Sequence, residues 1–510
     1  MHASLVELNH LNVTTAEGRP LFRELSLRLG REKVALVGRN GVGKTTLLRI
    51  LAGEAEASPG ALVSRVAPVF VRQDPTAEES AAALAWLLAR EAEDPSLARE
   101  LGDVGLPPLA ALVGARHSRG EARKLLLLAA KLSRGELLLL DEPTEGLDEA
   151  GLAWLCAWLQ AWDRGAIVVS HHRGLLRRFD DFFVVAEAGC SHVSGGLAAL
   201  ERRLAEEGEA RERQYVRNLN ALDAEERRDE TIRRRRERKK NVGRLHELDR
   251  CTSRMRLNMK RSHAQVTQAR AARVREDRIA ATRAWARATR RALAVTLPLE
   301  LAAPQLAEAD GRPTVTLADV GVEIGERSLF AGVDLSLRRE RLAIVGPNGA
   351  GKTTLLNVMT GARRPTSGAA SRRSERIGTI TQGASDWIAD DSLVERLQAQ
   401  MHGSLADVAD LLVTHRFPLA LAERPLRSLS PGERVRAAMI CLFNKTPTVE
   451  LLILDEPSDG LDLVGVAALQ RALRAWPGGL VIASHDRELL DGVGVDRVLA
   501  LDGRGGHRLV

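Results

Sequence analysis

Two short segments carry the same set of phosphate-gripping residues. Gly38-Arg39-Asn40-Gly41-Val42-Gly43-Lys44-Thr45 and Gly346-Pro347-Asn348-Gly349-Ala350-Gly351-Lys352-Thr353 both fit G-x-x-x-x-G-K-[ST], and each is followed by a second threonine, Thr46 or Thr354. Glycines at these positions let backbone N–H groups close round phosphate oxygens, and the helix that opens at the lysine adds a favourable dipole. The lysine is suited to the β/γ-phosphates and the threonine hydroxyl to Mg²⁺. Downstream, Asp141-Glu142-Pro143-Thr144 and Asp455-Glu456-Pro457-Ser458 supply an aspartate to hold Mg²⁺ through water and a glutamate to orient an attacking water. His171 and His485, each preceded by serine, have the spacing to contact a γ-phosphate. Phosphoryl transfer asks little covalent chemistry of a protein, so positioning and charge neutralisation by these residues supply most of the rate.

Each set needs a scaffold that points its residues at one place. The apolar runs Val34–Val37 and Leu342–Val345 read as strands entering the glycine loops, and Thr46-Leu47-Leu48 and Thr354-Leu355-Leu356 as helices leaving them. Leu137–Leu140, Leu451–Leu454, Ala166–Val169 and Leu480–Ala483 read as buried central strands, while Leu5–Leu8 and Thr314–Leu317 alternate like half-exposed ones. The landmarks recur at nearly constant offset: 308 residues between Lys44 and Lys352, 309 between Gln73 and Gln382, 312 between Ser118 and Ser430, and 314 between His171 and His485. One domain is therefore present twice, and strands alternating with helices predict a mostly parallel sheet flanked by helices.

Between the copies the composition changes. No Gly or Pro interrupts Glu209 to Val242, and a second helix-forming stretch runs from Gly243 to Leu297. This predicts a hairpin of two long helices turning near Gly243–Ser262; 34 residues of helix would reach about 50 Å. Thr231 to Arg291 holds 21 Lys/Arg against 5 Asp/Glu, a net of +16 in a chain of net +7, which leaves −9 elsewhere. Basic charge so concentrated, running from Arg233 to Arg291 with almost no aromatics, predicts contact with a nucleic-acid backbone, whereas an isolated hairpin would repel itself. Tyr215 and Trp285 read as hairpin packing, and Trp154, Trp158 and Trp162 as a packed helix face. No run of about 18 apolar residues and no signal-peptide pattern is present, and the four scattered cysteines form no C-x-x-C pair. These features predict a cytoplasmic protein with reduced thiols and no membrane insertion.

The elements Ser118-Arg119-Gly120-Glu121 and Ser430-Pro431-Gly432-Glu433 complete an order of motifs that resembles the ATP-binding cassette (ABC) superfamily over both copies. Within it the chain looks like the F subfamily, twin-cassette ATPases that act on ribosomes. No membrane span is present, the second signature reads Leu-Ser-Pro-Gly-Glu, and Ser194-Gly195-Gly196-Leu197 leads directly into the basic linker. The resemblance implies an α/β fold with two P-loop ABC ATPase domains, each a mainly parallel sheet with a helical subdomain. These would be cassette 1 (1–198), a helical-hairpin linker that meets rRNA and tRNA (199–298), a tether (299–313) and cassette 2 (314–510). It implies ATP and Mg²⁺ as cofactors, a monomer whose cassettes pair head to tail, and a linker that reaches P- or E-site tRNA of the ribosome. The outcome would be modulated translation or antibiotic resistance.

Carried over by position, Gly38, Asn40, Gly41, Gly43, Lys44, Thr45 and Thr46 would share an ATP with Ser430 and Gly432. Gly346, Asn348, Gly349, Gly351, Lys352, Thr353 and Thr354 would share the other with Ser118 and Gly120. Gln73, Gln382, Asp148 and Asp462 join the ATP-binding set. Thr45, Gln73 and Asp141, with Thr353, Gln382 and Asp455, would hold Mg²⁺, partly through water. Glu142, Glu456, His171 and His485 would be catalytic. The chain departs from the subfamily at Glu145-Gly146 and Asp459-Gly460, where Asn-His is usual, at His117 and Arg119 in the first signature, and at His172, where the second copy has Asp486. Thr14 or Thr15 and Ile324 occupy the place of an adenine-stacking aromatic. Arg119 predicts a slower Lys352–Ser118 site. Two other readings fit the motifs: the ATPase subunit of a transporter with its spans on another chain, and a DNA-handling ATPase.

Overall fold

The computed structural model describes residues 4–210 apart from short stretches (15–19, 57, 59–60, 92, 95, 115–116, 134 and 187–188), then 213–214, 217, 231, and 311–510 apart from 326 and 402–403. The expected hairpin tip at 243–262, the charge run from Arg233, the tether up to residue 310, Thr15, Tyr215 and Trp285 lie outside the described residues. The chain divides into two compact units. One comprises Met1–Arg202, Pro298–His415 and Leu421–Val510; the other comprises Arg203–Leu297 and Arg416–Ala420, with helix described at 203–210.

Apart from Arg416–Ala420, both copies fall in the first unit, and each is built on a six-stranded sheet with the same topology. In the first the strand order is Val69–Val71, Leu137–Asp141, Gly165–Val169, Lys33–Gly38, Asp181–Ala186 and Gly189–Ser194. In the second it is Ile377–Ile380, Leu451–Asp455, Gly479–Ala483, Arg341–Val345, Arg497–Leu501 and His507–Leu509. The first five strands of each run parallel and the sixth is antiparallel. The central strands Leu137–Asp141, Gly165–Val169, Leu451–Asp455 and Gly479–Ala483 are buried along their whole length. That is why they read as continuous apolar runs rather than alternations.

A three-stranded antiparallel sheet covers each central sheet, led by Val6–Thr14 in the first copy and Val315–Ile324 in the second. The phosphate-loop helices, Lys44–Leu51 and Lys352–Thr360, lie between the layers and bury Leu47, Leu48, Leu355 and Leu356 in the two cores. A helical region spans residues 77–132 in the first copy and 393–443 in the second, ending in the helices Arg119–Leu132 and Pro431–Phe443. Two members of the tryptophan stripe are core, as its spacing predicts: Trp154 and Trp158 are buried on the helix Glu149–Ala161, their ring centroids 5.4 Å apart, while Trp162 caps the helix end half-buried against Trp158. Among the described residues no helix is long and apolar enough to cross a membrane.

Candidate functional site

Each glycine loop leaves a central strand and turns into its helix through a left-handed glycine, Gly43 at φ 101° and Gly351 at φ 98°. A side chain there would also strike the aromatic ring beneath the loop: a Cβ on Gly43 falls 2.8 Å from Phe22 and one on Gly351 falls 3.1 Å from Phe330. Backbone conformation and close approach thus both demand glycine. Lys44 Nζ donates to the carbonyls of Gly38 (2.8 Å) and Arg39 (3.1 Å). Lys352 Nζ donates to Gly346 O at 2.9 Å and lies 2.8 Å from His485 Nε2. Burial lowers the pKa of both lysines.

The carboxylate pairs end the strand one further across the sheet, beyond Gly165–Val169 in the first copy and Gly479–Ala483 in the second. Thr353 Oγ1 donates to Asp455 Oδ2 at 2.7 Å, and the Thr45 hydroxyl is likewise the hydrogen-bonding neighbour of the buried Asp141 carboxylate. Glu142 and Glu456 adopt left-handed backbone at φ 45° and 42°, a conformation that costs a non-glycine residue on the order of 1 kcal/mol or more. Hydrogen bonds from the next strand hold them there. Glu142 N donates to Val169 O at 2.9 Å and Glu456 N to Ala483 O at 2.8 Å. The backbone N–H groups of His171 and His485 in turn donate to Glu142 Oε2 (3.3 Å) and Glu456 Oε2 (3.2 Å).

The histidine rings sit on the same carboxyls, His171 Nε2 at 3.2 Å from Glu142 Oε1 and His485 Nε2 at 3.3 Å from Glu456 Oε1. Burial pushes both glutamates up to about 8. Burial, with a lysine nearby, pushes His485 down to about 4 and His171 well below its ordinary value. Each Glu–His ring contact is therefore a close approach of two neutral groups near pH 7, not an ion pair, and the hydrogen bond to each carboxyl comes from the histidine backbone N–H.

The two sets open onto one cavity of about 980 Å³, lined by both phosphate loops, both carboxylate pairs, both histidines, Gln73, Gln382, Asp148 and Ser430. Gly38, Gly346, Ser118, Gly120, Gly432 and Asp462 lie outside its lining. The copies reach across it reciprocally. Asn40 Nδ2 donates to Gly460 O at 2.6 Å, and Asn348 Nδ2 donates to Gly146 O at 2.8 Å. A Cβ on Gly120 would lie 2.8 Å from that same Gly146 O and 3.5 Å from Asn348 Nδ2, so the first signature backs the turn that the second glycine loop touches. Ser118 and Ser430 cap their helices, each accepting from the N–H of Glu121 or Glu433, whose carboxylates return the bond to the serine N–H. The signature glutamates are thus spent on capping boxes.

Reading the sequence did not assign Glu145 and Asp459 a role. In the structure they hold the glutamines: Gln73 Nε2 donates to Glu145 Oε2 at 3.1 Å and Gln382 Nε2 to Asp459 Oδ2 at 2.9 Å. An acid at the same offset in both copies was the available signal. Arg123 was also missed; it is fully buried and donates through Nη1 to the carbonyls of Arg72 (2.9 Å) and Asp141 (3.2 Å), tying the glutamine strand to the carboxylate strand. Ile324 is half-exposed at a strand end and lines the cavity; Thr14 ends the matching strand of the first copy.

The ABC transporter family profile matches residues 22–145 and 330–459. ATP-binding protein Uup of Caulobacter vibrioides is 31% identical over 97% of this chain and 77% of its own length. Tylosin resistance ATP-binding protein TlrC of Streptomyces fradiae is 30% identical, covering 93% of each. Ribosome protection protein VmlR of Bacillus subtilis is 26% identical over 90% of this chain and 80% of its own. Among solved structures, the archaeal ribosome recycling factor aABCE1, in complex with ribosomal stalk protein aP1, superposes with TM-score 0.61 at 19% identity, over 98% of this chain and 89% of that one.

Proposed function

Because this chain belongs to the ABC superfamily, as a twin-cassette ATP hydrolase of its F subfamily, we propose that it is an ATP-driven ribosome factor. Its basic linker would meet rRNA and tRNA near the P and E sites, and its action would modulate translation or protect it from antibiotics. The observation that carries the ATP half of this reading is the reciprocal pair Asn40–Gly460 and Asn348–Gly146 around one cavity. Each glycine loop already touches the turn of the opposite cassette, so two nucleotides would be held between the cassettes.

The donors fit Mg·ATP. Buried Asp141 and Asp455, each beside a threonine hydroxyl, are the hard oxygen ligands that Mg²⁺ takes. Bound Mg²⁺ would neutralise charge on the β- and γ-phosphates. Lys44 and Lys352 would exchange their loop-carbonyl bonds for phosphate oxygens. Glu142 and Glu456 would orient the attacking water, with His171 and His485 keeping each carboxyl in place. Gln73 and Gln382 stand at the mouth of each site, tethered to Glu145 and Asp459.

A physical link to the linker supports the second half. The helix at 196–210 starts from Gly195-Gly196, whose N–H groups both donate to Asp180 O, and buries Leu197 and Leu200. Arg173, two residues beyond His171, lies 3.2 Å through Nη2 from Glu201 Oε1 on that helix. Movement of the histidine loop would therefore be passed to the first turns of this helix. The names of relatives that act in ribosome protection and tylosin resistance support the same reading.

The test is ribosome pelleting with the Glu142→Gln, Glu456→Gln double variant. Enrichment in ribosomal pellets with ATP, and competition by rRNA or tRNA but not duplex DNA, is expected. No enrichment in any nucleotide condition overturns the ribosome reading. Co-purification with membranes would favour a transporter subunit.

A further inference from the structure

The two cassettes hold one turn by different means. In the second, the turn after the carboxylate pair packs on the first residue of the signature helix: a Cβ on Gly460 falls 3.0 Å from Pro431 Cβ. In the first, that helix position is Arg119 and no ring backs Gly146. Arg119 instead bonds Asp74 Oδ1 and lies 3.3 Å through Nη2 from Glu145 Oε1. Glu145 directly precedes Gly146, whose carbonyl accepts from Asn348 Nδ2 at 2.8 Å. Glu145 and Asp459 also face one another across the cavity, and Asp459 feels the charge of both Glu145 and Arg119. Arg119 is the cation in direct contact with Glu145 and offsets this juxtaposed pair.

We propose that Arg119 is a positioning residue for the ATP site built on Lys352: its guanidinium holds the Glu145-Gly146 turn so that the Gly146 carbonyl stands where Asn348 meets it. Pro431 does the same for the Lys44 site by ring packing. The two mechanisms respond differently to solvent. The side chains of Arg119 and Asp74 are 58% and 72% exposed, so salt screens the ion pairs, whereas contact with a proline ring is indifferent to salt. The polar partners of Arg119 are Asp74 and Glu145, neither of which belongs to the Lys352 loop. Its effect should therefore fall on assembly of the closed site, and hence on kcat, with KM for Mg·ATP unchanged.

The experiment is steady-state ATP turnover by the full chain between about 0.05 and 0.5 M NaCl, where the screening length shrinks from more than 10 Å to a few ångströms. Wild type, Arg119→Ala, Arg119→Lys and Arg119→Pro are compared. For an ion pair of this exposure, Arg119→Ala should lower kcat about two- to fivefold at low salt, leave KM unchanged and flatten the salt response. Arg119→Lys should keep the salt response. Arg119→Pro, which copies the second cassette, should recover kcat without it. The inference is overturned if Arg119→Ala keeps wild-type kcat and salt response, if it changes KM instead of kcat, or if Arg119→Pro is as impaired as Arg119→Ala.

Discussion

Replacing both buried glutamates by glutamine should stabilise the nucleotide-free protein, and the gain should grow with pH. Glu142 and Glu456 are raised from 4.5 to about 8, mainly because burial penalises the charged form. Below the unfolded value both states hold the proton and these groups contribute no pH dependence. Between 4.5 and about 8 the unfolded chain sheds a proton that the folded chain keeps. Stability therefore falls as pH rises, by at most about 1.4 kcal/mol per pH unit for each group, and levels off above the folded value. At pH 7.5 the accumulated cost is on the order of 4 kcal/mol per glutamate. Glutamine keeps the shape and an acceptor for the His171 and His485 N–H groups but carries no proton to lose. Calorimetry of the full chain in EDTA without nucleotide should show the Glu142→Gln, Glu456→Gln double variant melting roughly 6–12 °C above wild type at pH 7.5. The difference should shrink toward zero near pH 5. Equal melting temperatures across that range, or a lower one for the variant at high pH, would refute the argument that these carboxyls are buried at a cost.

Other outcomes follow from the same geometry. Gly120→Ala should lower kcat about tenfold or more and Gly432→Ala clearly less, because the new methyl meets the Gly146 carbonyl at 2.8 Å in one case and the mobile end of Leu461 at 2.9 Å in the other; equal losses would contradict this. Single Glu142→Gln should cost more turnover than single Glu456→Gln, since the Lys352 site, whose carboxylate is Glu456, relies on a screened ion pair where its partner has a proline ring. Comparable losses would remove the asymmetry. Arg173→Ala should abolish the nucleotide dependence of hydrogen exchange at 198–208 while ATP turnover changes less than about twofold, and the Arg173→Glu, Glu201→Arg exchange of charges should restore it.

Sequence alone determined the repeat, the two glycine loops, the carboxylate pairs, the histidines and the buried strands that carry them. These are local: a phosphate loop needs its glycines, lysine and threonine within eight positions, and a parallel strand buried on both faces has to be an apolar run. Assignments beyond that depended on which residues meet across the fold. Glu145 and Asp459 entered the reading only as departures from a family pattern, because the glutamines they hold are 72 and 77 residues away. The Asn40–Gly460 contact joins positions 420 residues apart, and no spacing rule reaches that far. Arg119 looked like a defect in a signature until Asp74 and Glu145 were found beside it. The protonation of the histidines and glutamates was likewise decided by tertiary structure, because burial, not residue type, makes each Glu–His pair neutral. Residue types and short spacings record which chemistry a chain can perform. The three-dimensional packing of distant segments, through burial and contact, sets the partners and protonation with which it is performed.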